Sequence, residues 1–261
     1  MAAANGVGVS LPDLFDLSGR TALVTGASRG IGALAARALD DAGARVILCA
    51  RDIGRLREAG QTLRNDPIAM RADLSDRQGV TSLLSDLAGY ADHVDILINN
   101  AGTHAAGEAM ELAPDVWDEV QNVNLRSAFL LARGLAPAMA RRGWGKIVNM
   151  ASVLGVVADV DASAYVASKA GLLGLTRALG TEWAGRGITV NALCPGWIDT
   201  DMVSDLRSRD SFDRRVLRRT PAGRWGRADD LTGALIFLSS HASDFMVGQT
   251  LIIDGGLTAS W

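Results

Sequence analysis

Two hydrophobic patterns alternate along this chain: short uninterrupted apolar runs, and longer stretches in which apolar residues recur every three or four positions. Residues 21–24 are all apolar or β-branched, which is typical of a strand buried on both faces. Residues 30–41 carry an apolar stripe at helical spacing, and Gly43 follows them as a helix stop. This part of the chain therefore predicts a strand, a tight turn and a helix.

The same alternation continues along the sequence. It predicts further strands at residues 45–49, 68–70, 94–98, 146–150, 188–192 and 251–253, and further helices at residues 53–64, 75–90, 114–142 and 163–186. Alternating strands and helices favour an α/β fold, a doubly wound parallel sheet with helices on both faces. Because no linker or composition break divides the chain, we expect a single domain over residues 13–261, after a flexible arm over residues 1–12.

Composition argues against several classes of partner. A net charge of −3 gives no electrostatic reason to expect nucleic acid or a membrane. Cys49 and Cys194 lie in predicted strands and are expected to be buried thiols, and the three histidines lack the spacing of metal ligands, so we predict no metal site. No signal-peptide pattern and no apolar run of membrane length occurs, and we expect a cytoplasmic protein.

A glycine-rich turn joins the first predicted strand to the first predicted helix. Gly26, Gly30 and Gly32 lie in the sequence Thr-Gly-Ala-Ser-Arg-Gly-Ile-Gly of residues 25–32. At such a junction, backbone N–H groups and the positive end of the helix face a phosphate, and the missing Cβ atoms let it approach. The spacing differs from the commonest dinucleotide fingerprint, and a purely structural turn is the alternative. We interpret the turn as the pyrophosphate site of a dinucleotide.

A tyrosine, a lysine and a serine form a candidate proton-transfer group. Tyr165 and Lys169 are four residues apart on a predicted helix, so their side chains rise from one face. A free tyrosine titrates near pH ~10, and a neighbouring ammonium is expected to lower that pKa by stabilising the phenolate. Ser152, just past the fifth strand, can hydrogen-bond a substrate oxygen. Beside a dinucleotide site, this group predicts hydride transfer between a nicotinamide and a ketone or secondary alcohol, with Tyr165 as acid/base.

Taken together, these motifs resemble the short-chain dehydrogenase/reductase family. The resemblance covers about residues 17–258, and it also rests on Asn-Asn-Ala-Gly at residues 99–102, on Asn124 and on Pro-Gly at residues 195–196. It implies an NAD(P)-dependent enzyme with a seven-stranded Rossmann-type sheet in the order 3-2-1-4-5-6-7. It also implies a homotetramer whose interface is built from the helices predicted at residues 114–142 and 163–186, both rich in small residues.

The resemblance implies roles for individual residues. The implied catalytic group is Asn124, Ser152, Tyr165 and Lys169, in which Lys169 also holds the nicotinamide ribose and Asn124 continues a proton path through water. The implied cofactor contacts are Gly26, Ser28, Arg29, Gly30, Ile31, Gly32, Arg51, Asp73, Leu74, Asn100, Ala101, Gly102, Tyr165, Lys169, Pro195, Gly196, Ile198 and Thr200. The implied substrate contacts are Ser152, Leu154, Tyr165, Trp197 and Met202.

The choice of nicotinamide cofactor depends on charge at the end of the second strand. Ala50 stands where family members that use NAD carry an aspartate for the free ribose 2′-hydroxyl. Arg51 follows it, and Arg29 lies in the glycine turn, so two guanidinium groups are expected to face a 2′-phosphate. In the competing interpretation Asp52 binds the ribose and Arg51 points to solvent. We favour NADP(H) over NAD(H). Asp73 is expected near the adenine, unless it only caps the following helix.

Substrate identity is the least determined property. Residues 200–221 are expected to form a lid that holds six arginines interleaved with aspartates, and two interpretations stay open. One arginine recognises a substrate carboxylate, or the segment is a solvated helix pair of mixed charge. The other candidate pocket residues, Thr103, His104, Val153, Leu154, Trp197 and Met202, are mixed and rather apolar.

Residues 14–20, 223–226 and 237–240 resemble the gluconate 5-dehydrogenase branch of the family, and the 3-oxoacyl-carrier-protein reductases share much of the same pattern. A sugar-acid dehydrogenase using NAD and a 3-oxoacyl reductase are therefore alternatives to a broader NADP-dependent ketone reductase. Two further classes are a sugar-nucleotide epimerase, for which we expect a further substrate domain that is not seen in the sequence, and a nucleotide sensor without turnover. The intact catalytic group argues against the sensor.

Overall fold

Seven parallel strands form one sheet in the computed structural model, which describes residues 10–90 and 93–260. The strand order is β3-β2-β1-β4-β5-β6-β7. The strands are β1 (Thr21–Thr25), β2 (Arg45–Ala50), β3 (Ile68–Arg71), β4 (Val94–Asn99), β5 (Gly145–Met150), β6 (Ile188–Pro195) and β7 (Thr250–Ile253). The number, the order and the parallel pairing confirm the predicted fold class.

Helices cover both faces of the sheet. They are α1 (Leu11–Phe15), α2 (Gly30–Asp41), α3 (Ile53–Gly60), α4 (Arg77–Asp86), α5 (Pro114–Gln121), α6 (Ser127–Arg142), α7 (Ser163–Trp183), α8 (Ser204–Arg207), α9 (Asp210–Arg219) and α10 (Thr232–Ser239). Among the described residues, none of these helices combines the length and hydropathy that crossing a bilayer requires.

The core consists of two apolar layers, one on each face of the sheet. Successive strand residues point to opposite faces, so Val24 belongs to one layer and Leu23 to the other. The first layer includes side chains of α2, α3 and α10, and the second includes side chains of α4, α6 and α7. This two-sided burial explains why the strands read as uninterrupted apolar runs.

The predicted elements differ from the observed ones in several places, and the helix expected at residues 53–64 ends already at Gly60. The single helix expected at residues 114–142 is interrupted by a π-helical turn at Asn122–Arg126. The helix expected at residues 75–90 begins two residues later, after Asp76, whose carboxylate accepts a hydrogen bond from the Gly79 N–H at 2.7 Å. The flexible arm was expected to extend to residue 12, but Ser10 caps the short helix α1, so the arm does not include residues 10–12. Residues 1–9 lie outside the described residues.

Chain topology leaves a crevice at the carboxyl end of the sheet. The chain moves outward from β1 to β3 and then returns to place β4 on the other side of β1. The loops after β1 and β4 therefore diverge at this switch point, where α/β sheets bind ligands.

Candidate active site

A cavity of about 600 Å³ opens at the carboxyl ends of β1, β2, β4 and β5. It brings together most of the residues that the sequence singled out. Those that line it are Gly26, Ser28, Arg29, Gly30, Ile31, Gly32, Arg51, Asp73, Leu74, Asn100, Ala101, Gly102, Tyr165, Lys169, Pro195, Thr200 and Met202. Those that do not are Asn124, Ser152, Leu154, Gly196, Trp197 and Ile198.

The glycine turn has the geometry that a bound pyrophosphate requires. Gly26 and Gly30 have positive φ angles of 65° and 56°, which side chains other than glycine rarely adopt. A Cβ on Gly32 would overlap the Gly26 carbonyl oxygen. No side chain caps the N-terminus of α2, so its first N–H groups stay available to an anion. These residues fit a dinucleotide phosphate.

Asn100 ties the glycine turn to the end of β4. Its Nδ2 donates to the Thr25 carbonyl oxygen at 2.9 Å, and its backbone N–H donates to the Thr25 Oγ1 at 3.0 Å. The same Nδ2 lies 2.9 Å from the position of a Cβ on Gly26. The Asn-Asn-Ala-Gly motif thus shapes the cavity wall, and the loops on the two sides of the switch point hold each other in place.

At the far end of the cavity, Asp52 is already engaged within the protein. Its Oδ1 accepts hydrogen bonds from the N–H groups of Gly54 at 3.0 Å and Arg55 at 3.1 Å, which caps α3. Arg51 is exposed and lines the cavity. This arrangement weighs against the interpretation in which Asp52 binds the ribose and Arg51 faces away.

Two further charged groups near this end also have partners. The pKa of Asp73 is lowered chiefly by the backbone N–H of Ser75, which its carboxylate accepts at 3.0 Å, and further by the positive charge of Arg51. Asp73 therefore makes a local turn, while Asp76 caps α4. Arg29 forms an exposed ion pair with Asp201 at 3.7 Å, which links the glycine turn to the start of the predicted lid.

The candidate catalytic side chains converge on one wall of the cavity. Tyr165 and Lys169 lie one turn apart on α7, with the Lys169 Nζ 5.5 Å from the centre of the Tyr165 ring. The Lys169 Nζ donates to the Met150 carbonyl oxygen at 2.7 Å. A side-chain hydrogen bond joins Tyr165 to Ser152. Ser152 thus lies beside the tyrosine but is not part of the cavity lining.

Burial dominates the electrostatics of this group. It raises the pKa of Tyr165 to about 12, although the hydrogen bond to Ser152 works in the opposite direction. It also lowers the pKa of Lys169 to about 8. The sequence predicts a lowered tyrosine pKa through the neighbouring lysine, but burial is the larger effect and the net shift is upward. Near neutral pH Tyr165 is therefore a protonated phenol, the form that can donate a proton.

Asn124 is buried in the π-helical turn, and its amide group holds neighbouring chain segments. Its Nδ2 donates to the Thr103 carbonyl oxygen and to the Ser168 Oγ, both at 2.9 Å, and its Oδ1 accepts from the Thr103 N–H at 2.8 Å. The π-helical turn aims this side chain at the loop after β4. Both Nδ2 hydrogens of Asn124 are therefore used within the protein, while its Oδ1 can accept one further hydrogen bond.

The predicted substrate contacts divide into two groups. Met202 lines the cavity, whereas Leu154 is buried and Trp197 packs edge-on against Phe212 and Trp225, with ring centres 5.1 and 6.0 Å apart. Leu154 and Trp197 therefore do not form the cavity wall beside Tyr165. That wall includes His104, whose ring lies edge-on against the tyrosine ring with ring centres 5.1 Å apart. Trp197 holds the lid rather than lining the cavity.

Several residues that line the cavity were not predicted from the sequence, among them Arg55, Glu119 and Val123. The last two are four residues apart, a spacing that places them on the same face of a helix. That spacing was the one clue in the sequence, but it does not say which face meets the cavity.

The segment predicted to form a lid contains α8 and α9, and none of its six arginines lines the cavity. Arg215 pairs with Asp159 at 3.0 Å, and Arg207 pairs with Asp199. These contacts favour a mixed-charge helix pair over a carboxylate-binding arginine.

Both cysteines are free and buried, as predicted. The described part of the chain contains no cluster of His, Cys, Asp and Glu with the geometry of a metal site.

Comparison with known proteins agrees with this geometry. The family model described as enoyl-(acyl carrier protein) reductase matches residues 26–258. Gluconate 5-dehydrogenase of Gluconobacter oxydans (strain 621H) is 38% identical over 255 residues, which are 97% of this chain and 100% of that protein.

Two solved structures are also similar. A gluconate 5-dehydrogenase from Burkholderia cenocepacia J2315, in complex with NADP and tartrate, has a TM-score of 0.89 and 37% identity, covering 97% of this chain and 100% of that one. A 3-oxoacyl (acyl-carrier-protein) reductase from Agrobacterium tumefaciens C58 with NADP bound has a TM-score of 0.90 and 35% identity, covering 94% and 97%. With its fold, its motifs and these relatives in agreement, this chain belongs to the short-chain dehydrogenase/reductase family, whose members are oxidoreductases acting on alcohol and ketone groups.

Proposed function

We propose that this enzyme uses NADP(H) in preference to NAD(H) to interconvert a ketone and a secondary alcohol, with Tyr165 as the acid/base. One observation carries the proposal: the half-buried Tyr165, which interacts with Ser152 and lies one turn from Lys169, shares a continuous cavity with an uncapped helix N-terminus in a glycine turn. The cavity therefore joins a proton-transfer group to a phosphate-binding end.

The residues divide the chemistry between them. A nicotinamide cofactor, when bound, gives or takes the hydride at the reacting carbon. The Tyr165 hydroxyl gives its proton to the carbonyl oxygen in reduction and takes it back in oxidation. Ser152 orients that hydroxyl through their hydrogen bond, and the Lys169 ammonium favours the phenolate that remains after proton donation.

Charge at the adenosine end supports NADP(H). Arg51, Arg29 and Arg55 line that end of the cavity, while β2 ends in the uncharged Ala50. Asp52 is taken up by the cap of α3. Both solved relatives described above hold NADP. A 2′-phosphate would meet guanidinium groups there, whereas the position at the end of β2 carries no carboxylate for a free ribose hydroxyl, and the nearby Asp52, which also lines the cavity, is held in the helix cap.

The relatives support two substrate classes, sugar acids and 3-oxoacyl groups. The polar residues His104 and Glu119 line the same cavity as Tyr165 and favour a hydroxylated substrate over an acyl chain, because they can hydrogen-bond hydroxyl groups and an acyl chain offers them no partner. A homotetramer is also proposed, since Val116, Trp117 and Phe129 expose apolar surface on α5 and α6. The cytoplasmic location stays a prediction from the sequence.

A spectrophotometric assay of NADPH and NADH consumption, against a panel of hydroxyketones, sugar-derived keto acids and 3-oxoacyl thioesters, tests the proposal. We expect turnover of ketones with NADPH and a lower kcat/KM with NADH. Tight NADPH binding without turnover of any ketone would identify a nucleotide sensor instead.

A further inference from the structure

His104 is a polar side chain of the cavity that the catalytic group does not use. It is the second residue after the Asn-Asn-Ala-Gly motif. Its ring lies edge-on against the Tyr165 ring, with ring centres 5.1 Å apart and planes inclined at 63°. It lines the same cavity as Tyr165 and Lys169. The imidazole therefore borders the place where a substrate oxygen would meet the tyrosine hydroxyl.

Both ring nitrogens of His104 are available to a ligand. Within residues 10–90 and 93–260, no protein group forms a hydrogen bond or an ion pair with this ring. The residue is exposed because the cavity is open, while the surrounding protein partly desolvates the ring and lowers its pKa. A neutral imidazole can donate one hydrogen bond and accept another. This is the hydrogen-bonding pattern of a hydroxyl partner.

The position of His104 is fixed by the same contacts that build the catalytic site. The preceding residue, Thr103, is held through both its N–H and its carbonyl oxygen by the amide of Asn124, at 2.8 and 2.9 Å. Because that amide also binds Ser168 on α7, the loop bearing His104 is tied to the helix bearing Tyr165. A side chain can select between substrates only if its own position is fixed, and these hydrogen bonds fix the backbone that carries His104.

The nearest alternatives for recognising a polar substrate are engaged elsewhere. The lid arginines Arg207 and Arg215 pair with aspartates and do not line the cavity. Glu119, which does line it, is acidic and would repel a carboxylate placed beside it. The chemistry around Tyr165 thus suits uncharged hydroxyl groups next to the reacting carbon.

We propose that His104 is a specificity-determining residue that selects ketones bearing a hydroxyl on the carbon adjacent to the carbonyl. The inference rests on the proposed function, because it assumes that the ketone oxygen binds at Tyr165. In the bound substrate, the imidazole hydrogen-bonds the adjacent hydroxyl, and a substrate with a methyl group in its place leaves the imidazole without a partner.

Hydroxyacetone and 2-butanone form a matched pair for the test, because they differ in a hydroxyl replaced by a methyl group of similar size. The ratio of their kcat/KM values with NADPH is measured for the wild type, His104→Leu and His104→Asn, with the exposed His93→Leu as a control. We expect the wild type and the control to prefer hydroxyacetone at least tenfold. The ratio should fall about tenfold or more in His104→Leu and recover in part in His104→Asn, as loss and partial return of one hydrogen bond predict.

The outcomes separate this inference from the proposed function. NADPH affinity, followed by fluorescence, and the melting temperature show whether each variant is folded. An equal fall for both ketones, an unchanged ratio, or no difference between the Leu and Asn variants would overturn the role of His104 while leaving ketone reduction intact. Absence of turnover by a wild-type enzyme that binds NADPH would instead overturn the proposed function itself.

Discussion

Arg215 of α9 and Asp159 of the loop after β5 form a two-bond ion pair, with Nη1–Oδ1 and Nη2–Oδ2 distances of 3.2 and 3.0 Å. One turn before the arginine on the same helix, Phe212 packs against Trp197, which follows β6. The lid is therefore held at two points, by charge on one side and by aromatic packing on the other. Both anchor segments follow strands whose ends border the cavity.

Breaking the ion pair should loosen the lid without disturbing the chemistry. We expect Arg215→Ala to raise the KM for a ketone about three- to tenfold, because a partly buried two-bond pair is worth more than an exposed one. Limited proteolysis should cut residues 200–221 faster. Arg214→Ala is the matched control, since Arg214 contacts only the exposed Asp210, at 3.9 Å. Equal effects of the two substitutions would contradict a lid held by Arg215.

Removing the phenol oxygen should abolish turnover. Tyr165→Phe is expected to lower kcat by about 10²–10⁴, the usual contribution of a positioned acid/base, while NADPH binding persists. Steady-state kinetics and a fluorescence titration with NADPH measure the two effects. Tyr90→Phe is the control, because Tyr90 is the other tyrosine of the sequence and is exposed. More than about a tenth of wild-type activity in Tyr165→Phe would exclude it as the acid/base.

The pH dependence should differ between the two directions. Burial raises the pKa of Tyr165 to about 12, so the phenolate that accepts a proton from an alcohol is scarce at neutral pH. We expect kcat/KM for alcohol oxidation to rise between about pH 6 and 9, and kcat/KM for ketone reduction not to rise. The pKa of Lys169 is lowered to about 8, and loss of its charge should flatten the rise above that pH. An oxidation rate that falls across this range would refute the assignment.

Cofactor choice can be tested from both sides of the adenosine pocket. Arg51→Ala should raise the ratio of the KM for NADPH to the KM for NADH about ten- to a hundredfold, since one arginine–phosphate contact is worth about 1.5–3 kcal/mol. Ala50→Asp adds a carboxylate that repels the phosphate and can bind a free ribose hydroxyl, so the double variant should prefer NADH. Arg57→Ala is the control, because Arg57 lies on α3 outside this cavity.

Equal loss toward both cofactors in Arg51→Ala would indicate a structural role for Arg51. A wild-type preference for NADH would show that the charge argument is wrong.

The proposed tetramer makes a prediction about α6. Phe129 is 38% exposed, which leaves an aromatic ring on the outer surface of α6, whereas the alanines Ala128, Ala132, Ala136 and Ala138 of this helix are buried in the protein's own core. We expect light scattering at micromolar concentration to give a tetramer for the wild type and a smaller species for Phe129→Asp. A wild-type monomer would contradict the proposal.

The sequence by itself determined the class of fold. Strands such as residues 21–24 must be buried on both faces because they carry no polar face, and alternation with helices then leaves few arrangements. The spacing of Tyr165 and Lys169, and the glycines of residues 25–32, likewise predicted local geometry, because helical periodicity and backbone freedom are local properties.

Only the tertiary structure decided which side chains meet and what surrounds them. The pKa of Tyr165 depends on burial, which no spacing reveals, so the expected direction was wrong. The contact of His104 with Tyr165 joins the loop after β4 to α7, 61 positions apart in sequence. The engagement of Trp197 in the lid cluster, and of Asp52 in the cap of α3, likewise follows from neighbours that become adjacent only after packing.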